Sequence, residues 1–313
     1  MILCVTPNTA LDRTLLVPGY GAGGVFRPQQ VVAAAGGKGV NVARVVKLLG
    51  GGSRCYGFIA GHTGALVASL AAGEGLDARW TILDAGETRT CTILVDPVQE
   101  QTTVVNESGV ETSASDWARL RDDLVVSADG ASAICFCGSL PPGSPLDAFA
   151  ALLAELVATG KSVWVDTSGA PLRTAAEVKG VHIKVNDDEA AALLNAPVTS
   201  LAEAAAGAKA LAQRMSASVV ITIGARGAVL SDGQTMWHAM PPAIQAKSAV
   251  GSGDSFLAGL LVGLEAGEPP DQALRRGVAA GAANALSVGG GQFRLEDYVR
   301  ILSNVSLSEY IPG

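Results

Sequence analysis

The sequence predicts an α/β protein with a doubly wound, mostly parallel sheet and a small β-sheet lid. Three observations predict it. From about residue 113 onward, short apolar runs rich in Val and Ile alternate with helical runs, the pattern of parallel strands covered on both faces. Successive strands end at Gly138, Asp166, Asn186 and Gly224, each followed by polar or glycine residues, and open α/β sheets gather ligands beyond such ends. Residues 12–35 and 87–106 break the alternation and read as strands without helices between them. The expected division is 1–11, 36–86 and 107–313 for the α/β domain, with 12–35 and 87–106 forming the lid.

Composition narrows the function classes. The chain has 313 residues, 49% hydrophobic and 16% charged, enough for a large core, and its 4% aromatic content leaves that core to Ala, Val, Leu and Gly. Net charge is −7 with no basic tail or stripe, which argues against a nucleic-acid partner. No run of about 20 apolar residues predicts a membrane span. Met1 to Pro7 reads as a strand and not as a signal peptide. The five cysteines are odd in number and lack disulfide-like spacing, which suits a reducing compartment, the cytoplasm. Cys135 and Cys137 fall on one face of a strand and read as core residues, while His62, His182 and His238 are scattered without ligand spacing.

In chain order, Ile2 to Thr6 is an apolar strand stopped by Pro7. Asn8 and Asp12 follow just past its end, as ligand groups or as turn formers. Gly19 to Gly24 matches G-x-G-x-x-G but has no βαβ surroundings, so it reads as a turn and not a dinucleotide site. Residues 25–34 read as a strand with Arg27 exposed. Gly36, Gly37 and Gly39 open a buried helix whose only polar stripe is Asn41, Arg44 and Lys47, and the loop lacks P-loop spacing. Residues 53–83 read strand, glycine turn, helix, strand. Residues 87–106 read as a hairpin through D-P-V-Q-E, with Arg89 at its start. A sheet inserted between α/β units is expected to close over a reacting site and exclude water. Beyond it lie helices at 115–125, 145–159 and 201–215, strands at 131–137, 162–166, 181–185 and 218–223, and final helices near 254–265 and 271–287.

The stretch around which the rest is arranged is S-A-V-G-S-G-D-S-F-L-A-G (248–259). Gly251 and Gly253 bracket Ser252, so the backbone turns sharply into a helix. A helix start leaves outward-pointing N–H groups, and with the dipole these favour an anion such as phosphate. Asp254 sits at this anion site, either as a general base for an attacking hydroxyl or as a helix cap.

Together these segments resemble the ribokinase-like (PfkB) carbohydrate kinase family. The resemblance rests on G-G-K-G-V-N-V-A-R-V-V-K-L-L-G (36–50), A-V-G-S-G-D-S-F-L-A-G (249–259), N-D-D-E (186–189), T-P-N-T-A-L-D, G-S-L-P-P-G and D-T-S-G, in family order over essentially the whole chain. The last three point to the branch that phosphorylates sugar phosphates, including 1-phosphofructokinase and tagatose-6-phosphate kinase. The resemblance implies Asp254 as base and the backbone of Gly251, Ser252 and Gly253 as anion hole. It implies Asp12, Gly37, Lys38 and Asn41 on the sugar, with Arg27, Arg89 and Ser139 on a phosphate the sugar already carries. It implies ATP along Lys184, Asn186, Thr222, Gly224 and Gly227, with Asn284 at the adenine end. Mg²⁺ would be held by Asn186 and Glu189 through water. Arginine forks match a sugar phosphate and are not needed by a neutral sugar. Val185 and Ala249 depart from the family pattern, which usually has Pro and Thr there. The expected substrate is fructose 1-phosphate, with tagatose 6-phosphate, fructose 6-phosphate or a neutral sugar as alternatives. A non-catalytic sugar-phosphate sensor and a nucleotide-binding oxidoreductase are the rival classes. A homodimer through exposed lid sheets is also expected.

Overall fold

The computed structural model describes residues 1–287 and 289–311. The chain runs β1 (Ile2–Thr6), β2 (Ala10–Leu16), β3 (Gln30–Gly36), α1 (Lys38–Leu48), β4 (Ser53–Ile59), α2 (Gly61–Gly73), β5 (Ala78–Ile82), β6 (Arg89–Asp96) and β7 (Gln101–Asn106). It continues α3 (Ala114–Ala128), β8 (Ala133–Cys137), α4 (Leu146–Ala158), β9 (Ser162–Asp166), α5 (Gly169–Ala176), β10 (Val181–Asn186), α6 (Asp187–Leu194) and α7 (Leu201–Met215). The last part is β11 (Val219–Thr222), β12 (Ala228–Ser231), β13 (Met236–Met240), α8 (Ser252–Glu265), α9 (Pro270–Ala285), α10 (Leu295–Leu302) and β14 (Ser306–Glu309).

Among the described residues, ten strands form one sheet in the order β14-β13-β12-β11-β10-β9-β8-β1-β4-β5. Pairing is parallel from β11 to β5 and antiparallel from β11 to β14. Side chains alternate between the two faces. Leu3, Val5, Ile134, Phe136, Val163 and Val165 enter one apolar layer with α3, α4, α5, α6 and α7. Ile2, Cys4, Cys135, Cys137 and Trp164 enter the other with α1, α2, α8, α9 and α10. Helices on both faces make the doubly wound arrangement. All five cysteines are unpaired and buried, so Cys135 and Cys137 are core residues. No described helix is long and apolar enough to cross a membrane.

A separate sheet runs β3-β2-β6-β7. Its register places Ala10 opposite both Gly36 and Arg89, and Thr14 opposite both Val32 and Ile93. Asp12, Thr14, Val32, Arg89 and Ile93 therefore share one face.

Several expectations need correction. The strand expected over 25–34 begins only at Gln30. Pro28 has no N–H to give a ladder and biases its neighbours against regular pairing, so Arg27 lies in the exposed connection between β2 and β3. Asp12 is inside β2 and not in a turn after β1. The antiparallel end of the large sheet, β12 to β14, was not anticipated.

Candidate active site

The C-terminal ends of β1, β8, β9, β10 and β11 lie along one edge of the large sheet, because parallel register aligns Cys137 with Asp166 and Asn186 with Thr222. The start of α8 packs near this edge. Gly251 precedes the helix with φ 76°, and a Cβ there would lie 2.3 Å from the Gly290 Cα, so only glycine fits. The Ser252 amide donates back to the Ala249 carbonyl at 3.1 Å and Ser255 to Gly251 at 2.9 Å. Among the described residues the amides of Gly253 and Asp254 have no acceptor. They are the free donors that a helix start offers an anion.

Asp254 is buried at 5% exposure. It is not the helix cap, because Gly251 holds that position and no side chain caps α8. Its Oδ2 accepts from Asn41 Nδ2 at 2.8 Å. Burial pushes its carboxyl above the usual range, Lys38 pulls it back, and Asp166 pushes it further up. A base with a raised pKa accepts a proton more readily than a free carboxylate.

Two lysines converge on Asp166. Lys38 Nζ lies 2.7 Å from Oδ1 and Lys184 Nζ 2.8 Å from Oδ2. Burial pushes Asp166 up, but Lys184 and Lys38 outweigh it and hold the carboxyl well below the usual carboxylate range. Asp166 in turn raises the Lys38 ammonium. A Cβ on Gly253 would fall 2.7 Å from Lys184 Nζ, so that ammonium stands directly beside the free amides of α8. Asp166 was missing from the expected site residues. Its signal was present, as the acidic end of β9 in D-T-S-G, but its two partners come from β10 and α1 and meet only in three dimensions.

A cleft of about 410 Å³ lies between the small sheet and the start of α1, lined among others by Asp12, Thr14, Asn41, Arg44, Ile93 and Gly290. Asp12 closes against Gly36, where a Cβ would fall 2.2 Å from its Cγ. Burial pushes the Asp12 carboxyl up to about 6, against the pull of Arg44 and with a further push from Asp254. Gly37 starts α1 with φ 104°, and a Cβ there would clash with Thr6 Cγ2 at 2.5 Å.

Arg89 is tied to the base of the small sheet. Its Nε and Nη2 donate to the Asn8 carbonyl at 3.1 and 2.9 Å, and Nη1 to the Glu107 carbonyl at 3.3 Å. Asn8 Nδ2 donates to Ser139 Oγ at 3.1 Å, so Arg89, Asn8 and Ser139 form one group. Arg27 is not joined to it: it is exposed, and among the described residues none of the bonds that build the group involves it.

On the other side, Asn186 and Glu189 form a reciprocal capping box on α6. The Asn186 Oδ1 accepts from the Glu189 amide at 2.7 Å and Glu189 Oε2 from the Asn186 amide at 3.0 Å. Thr222, whose Oγ1 donates to the Val185 carbonyl at 3.3 Å, ends the neighbouring strand, and Gly224 and Gly227 follow with φ 61° and 88°. Asn284 lies on α9 and packs against the turn that precedes α8. It is fully buried, and its amide donates to the Val250 carbonyl at 2.7 Å and Ser252 Oγ at 3.3 Å while accepting from the Gly291 amide at 2.9 Å. With these bonds made it holds the turn before α8 in place.

The chain matches the model of the pfkB family carbohydrate kinases over residues 3–297. It is 37% identical to a 1-phosphofructokinase of Rhodobacter capsulatus over 262 residues, 83% of this chain and 82% of that one. It is 29% identical to a 1-phosphofructokinase of Bacillus subtilis, covering 92% of this chain and 93% of that one. The phosphofructokinase-2 of Escherichia coli, solved with substrates and products, superposes with a TM-score of 0.88 at 26% identity, covering 97% of this chain and 98% of that one. The family match, the identity to these relatives and the superposition agree, and the chain belongs to the pfkB family of carbohydrate kinases.

Proposed function

We propose that the protein transfers the γ-phosphoryl group of ATP to a phosphorylated ketohexose, first of all fructose 1-phosphate, giving fructose 1,6-bisphosphate and ADP. One observation carries this reading: the buried Asp254 carboxylate lies in the same turn as unpaired helix amides and beside the Lys184 ammonium. A carboxylate there has chemical sense if it removes the proton of the attacking hydroxyl. The hydroxyl oxygen then bonds to the γ-phosphorus, and the bond to the bridging oxygen of ADP breaks. The amides of Gly253 and Asp254, with Gly251 and Ser252 shaping the turn, meet the charge on the transferring group.

Asp12, Gly37, Lys38 and Asn41 face the sugar in this reading, and Arg89 and Ser139 take its existing phosphate. Arg27 would join them only if its connection folds inward, so it carries less of the proposal than Arg89. Lys184, Thr222, Gly224 and Gly227 border the path of the ATP phosphates. The capping box fits a hydrated Mg²⁺: Asn186 Oδ1 and Glu189 Oε2 are engaged with backbone, and Glu189 Oε1 stays free for a bound water. Bound with ATP, Mg²⁺ would neutralise phosphate charge.

The small sheet is proposed as the lid over the cleft. Its exposed Val31 and Val105, on the face opposite to Thr14 and Ile93, support pairing with a second copy, and a tetrameric inhibited form is known for the phosphofructokinase-2 of Escherichia coli. Light scattering should give a dimer, and a pure monomer would end that proposal. The unpaired cysteines suit the cytoplasm.

The experiment is ADP release with Mg²⁺ and ATP across fructose 1-phosphate, tagatose 6-phosphate, fructose 6-phosphate, fructose and adenosine. A clear preference for fructose 1-phosphate supports the full reading. Preference for another phosphorylated sugar keeps the class and changes the substrate. Activity on neutral compounds alone would overturn the role of Arg89.

A further inference from the structure

The polar stripe of α1 continues past Asn41 to Arg44, a residue that the reaction above leaves without a task. Its side chain is 12% exposed. The guanidinium donates from Nε to Glu74 Oε2 at 2.5 Å, from Nη2 to Glu74 Oε1 at 3.0 Å and the Ala35 carbonyl at 2.8 Å, and from Nη1 to Asn41 Oδ1 at 2.8 Å. A guanidinium only donates. The Asn41 amide must therefore present its oxygen to Arg44, which turns its NH₂ toward Asp254 Oδ2 at 2.8 Å. The flipped amide would set oxygen against carboxylate and NH₂ against guanidinium, two repulsive contacts in a buried place.

We propose that Arg44, held by Glu74, is a positioning residue that locks the Asn41 amide as a donor to Asp254 and so keeps the base ionised and aimed at the cleft. The inference rests on Asp254 being the base. Charged and titratable groups face Asp254 from each neighbouring element: Lys38 from α1, Asp166 from β9, Lys184 from β10, Cys137 from β8 and, through their fields on the shared cleft, Asp12 from β2 and Arg44 itself. The two lysines remain when Arg44 is removed, so the base should weaken and not vanish.

The test is the pH profile of kcat for the full chain, at saturating ATP and sugar phosphate, from about pH 5 to 9. Arg44→Ala should lower kcat at neutral pH about 10- to 100-fold and move the acid limb up by about one pH unit, the size of one lost charge-assisted bond. Arg44→Lys and Glu74→Gln should shift the limb the same way by less, and they carry the test if Arg44→Ala does not fold. Asn41→Ala and the Asn41→Ala/Arg44→Ala double variant should lose similar kcat, because Arg44 acts through Asn41. A structural role alone would lower Tm, leave the acid limb in place and give additive losses, and that result overturns the proposal. If Asp254→Asn is inactive and Arg44→Ala keeps the normal acid limb, only the relay fails. If Asp254→Asn is fully active, the base reading and this inference fail together.

Discussion

Replacing Asp166 with Asn removes the one charge that two lysines share. Lys38 is 40% exposed on its side chain, so its bond to Asp166 is screened by water and adds little to stability. Lys184 differs, since it and Asp166 are 5% and 1% exposed. Deleting one partner of a buried pair costs about 3–5 kcal/mol, and because Asn keeps an oxygen for Lys184, about 3 kcal/mol is expected. For a chain of this size that is a fall in Tm of roughly 5 °C. The pH dependence has a definite sign. The folded-state carboxyl is depressed by Lys184 and Lys38, against burial. Its contribution is then complete above the unfolded value of about 3.9 and declines only as pH falls below it toward the folded value. Melting curves of both proteins should stay about equally separated from neutral pH down to about 5 and converge only in stronger acid. Activity should fall about 100-fold, because Lys184 loses its station beside the α8 amides. A variant melting within about 1 °C of the parent at pH 7 would refute the buried-pair argument.

Three further outcomes are expected. Gly251→Ala forces a side chain into φ 76° and against Gly290, and should cost at least about 1–2 kcal/mol and abolish turnover, read by melting and ADP release. Arg89→Ala should raise KM for the sugar phosphate about 10-fold or more with a smaller change in kcat, whereas Arg27→Ala should change KM less, read by steady-state kinetics. Asp12→Asn should stabilise the protein by about 1–2 kcal/mol near pH 7.5 while weakening sugar binding. Burial raises the folded Asp12 carboxyl to about 6, so its favourable contribution exists below the unfolded value and is lost as pH rises through 6. The stability gap to Asp12→Asn should therefore close below about pH 4 in melting curves.

The elements that positioned the site were legible because their signals are local. The α1 and α8 starts each follow glycines with left-handed backbone, and the β6–β7 hairpin pairs Asp96 with Gln101 around the stretch read as its turn. What was missed depends on distance or context. β12, β13 and β14 are strands of four or five residues with no alternating pattern to mark them, formed because they extend the sheet past β11. Asp166 and Arg44 were visible as residues, but the first gains its role from Lys184 and Lys38, and the second from an amide one helical turn away and the Glu74 carboxylate just past the end of α2. The bond from Asn284 to the Val250 carbonyl, which ties α9 to the turn before α8, likewise forms only in three dimensions.

The central claim is that Asp254 takes the proton while the α8 amides hold the transferring group. The most direct measurement is the kcat of Asp254→Asn for fructose 1-phosphate, beside the parent, with Tm measured on both. Asn keeps the shape and removes the basicity, so kcat should fall about 10³-fold or more with Tm unchanged or higher. A folded Asp254→Asn protein that turns over at the parent's rate would contradict the claim.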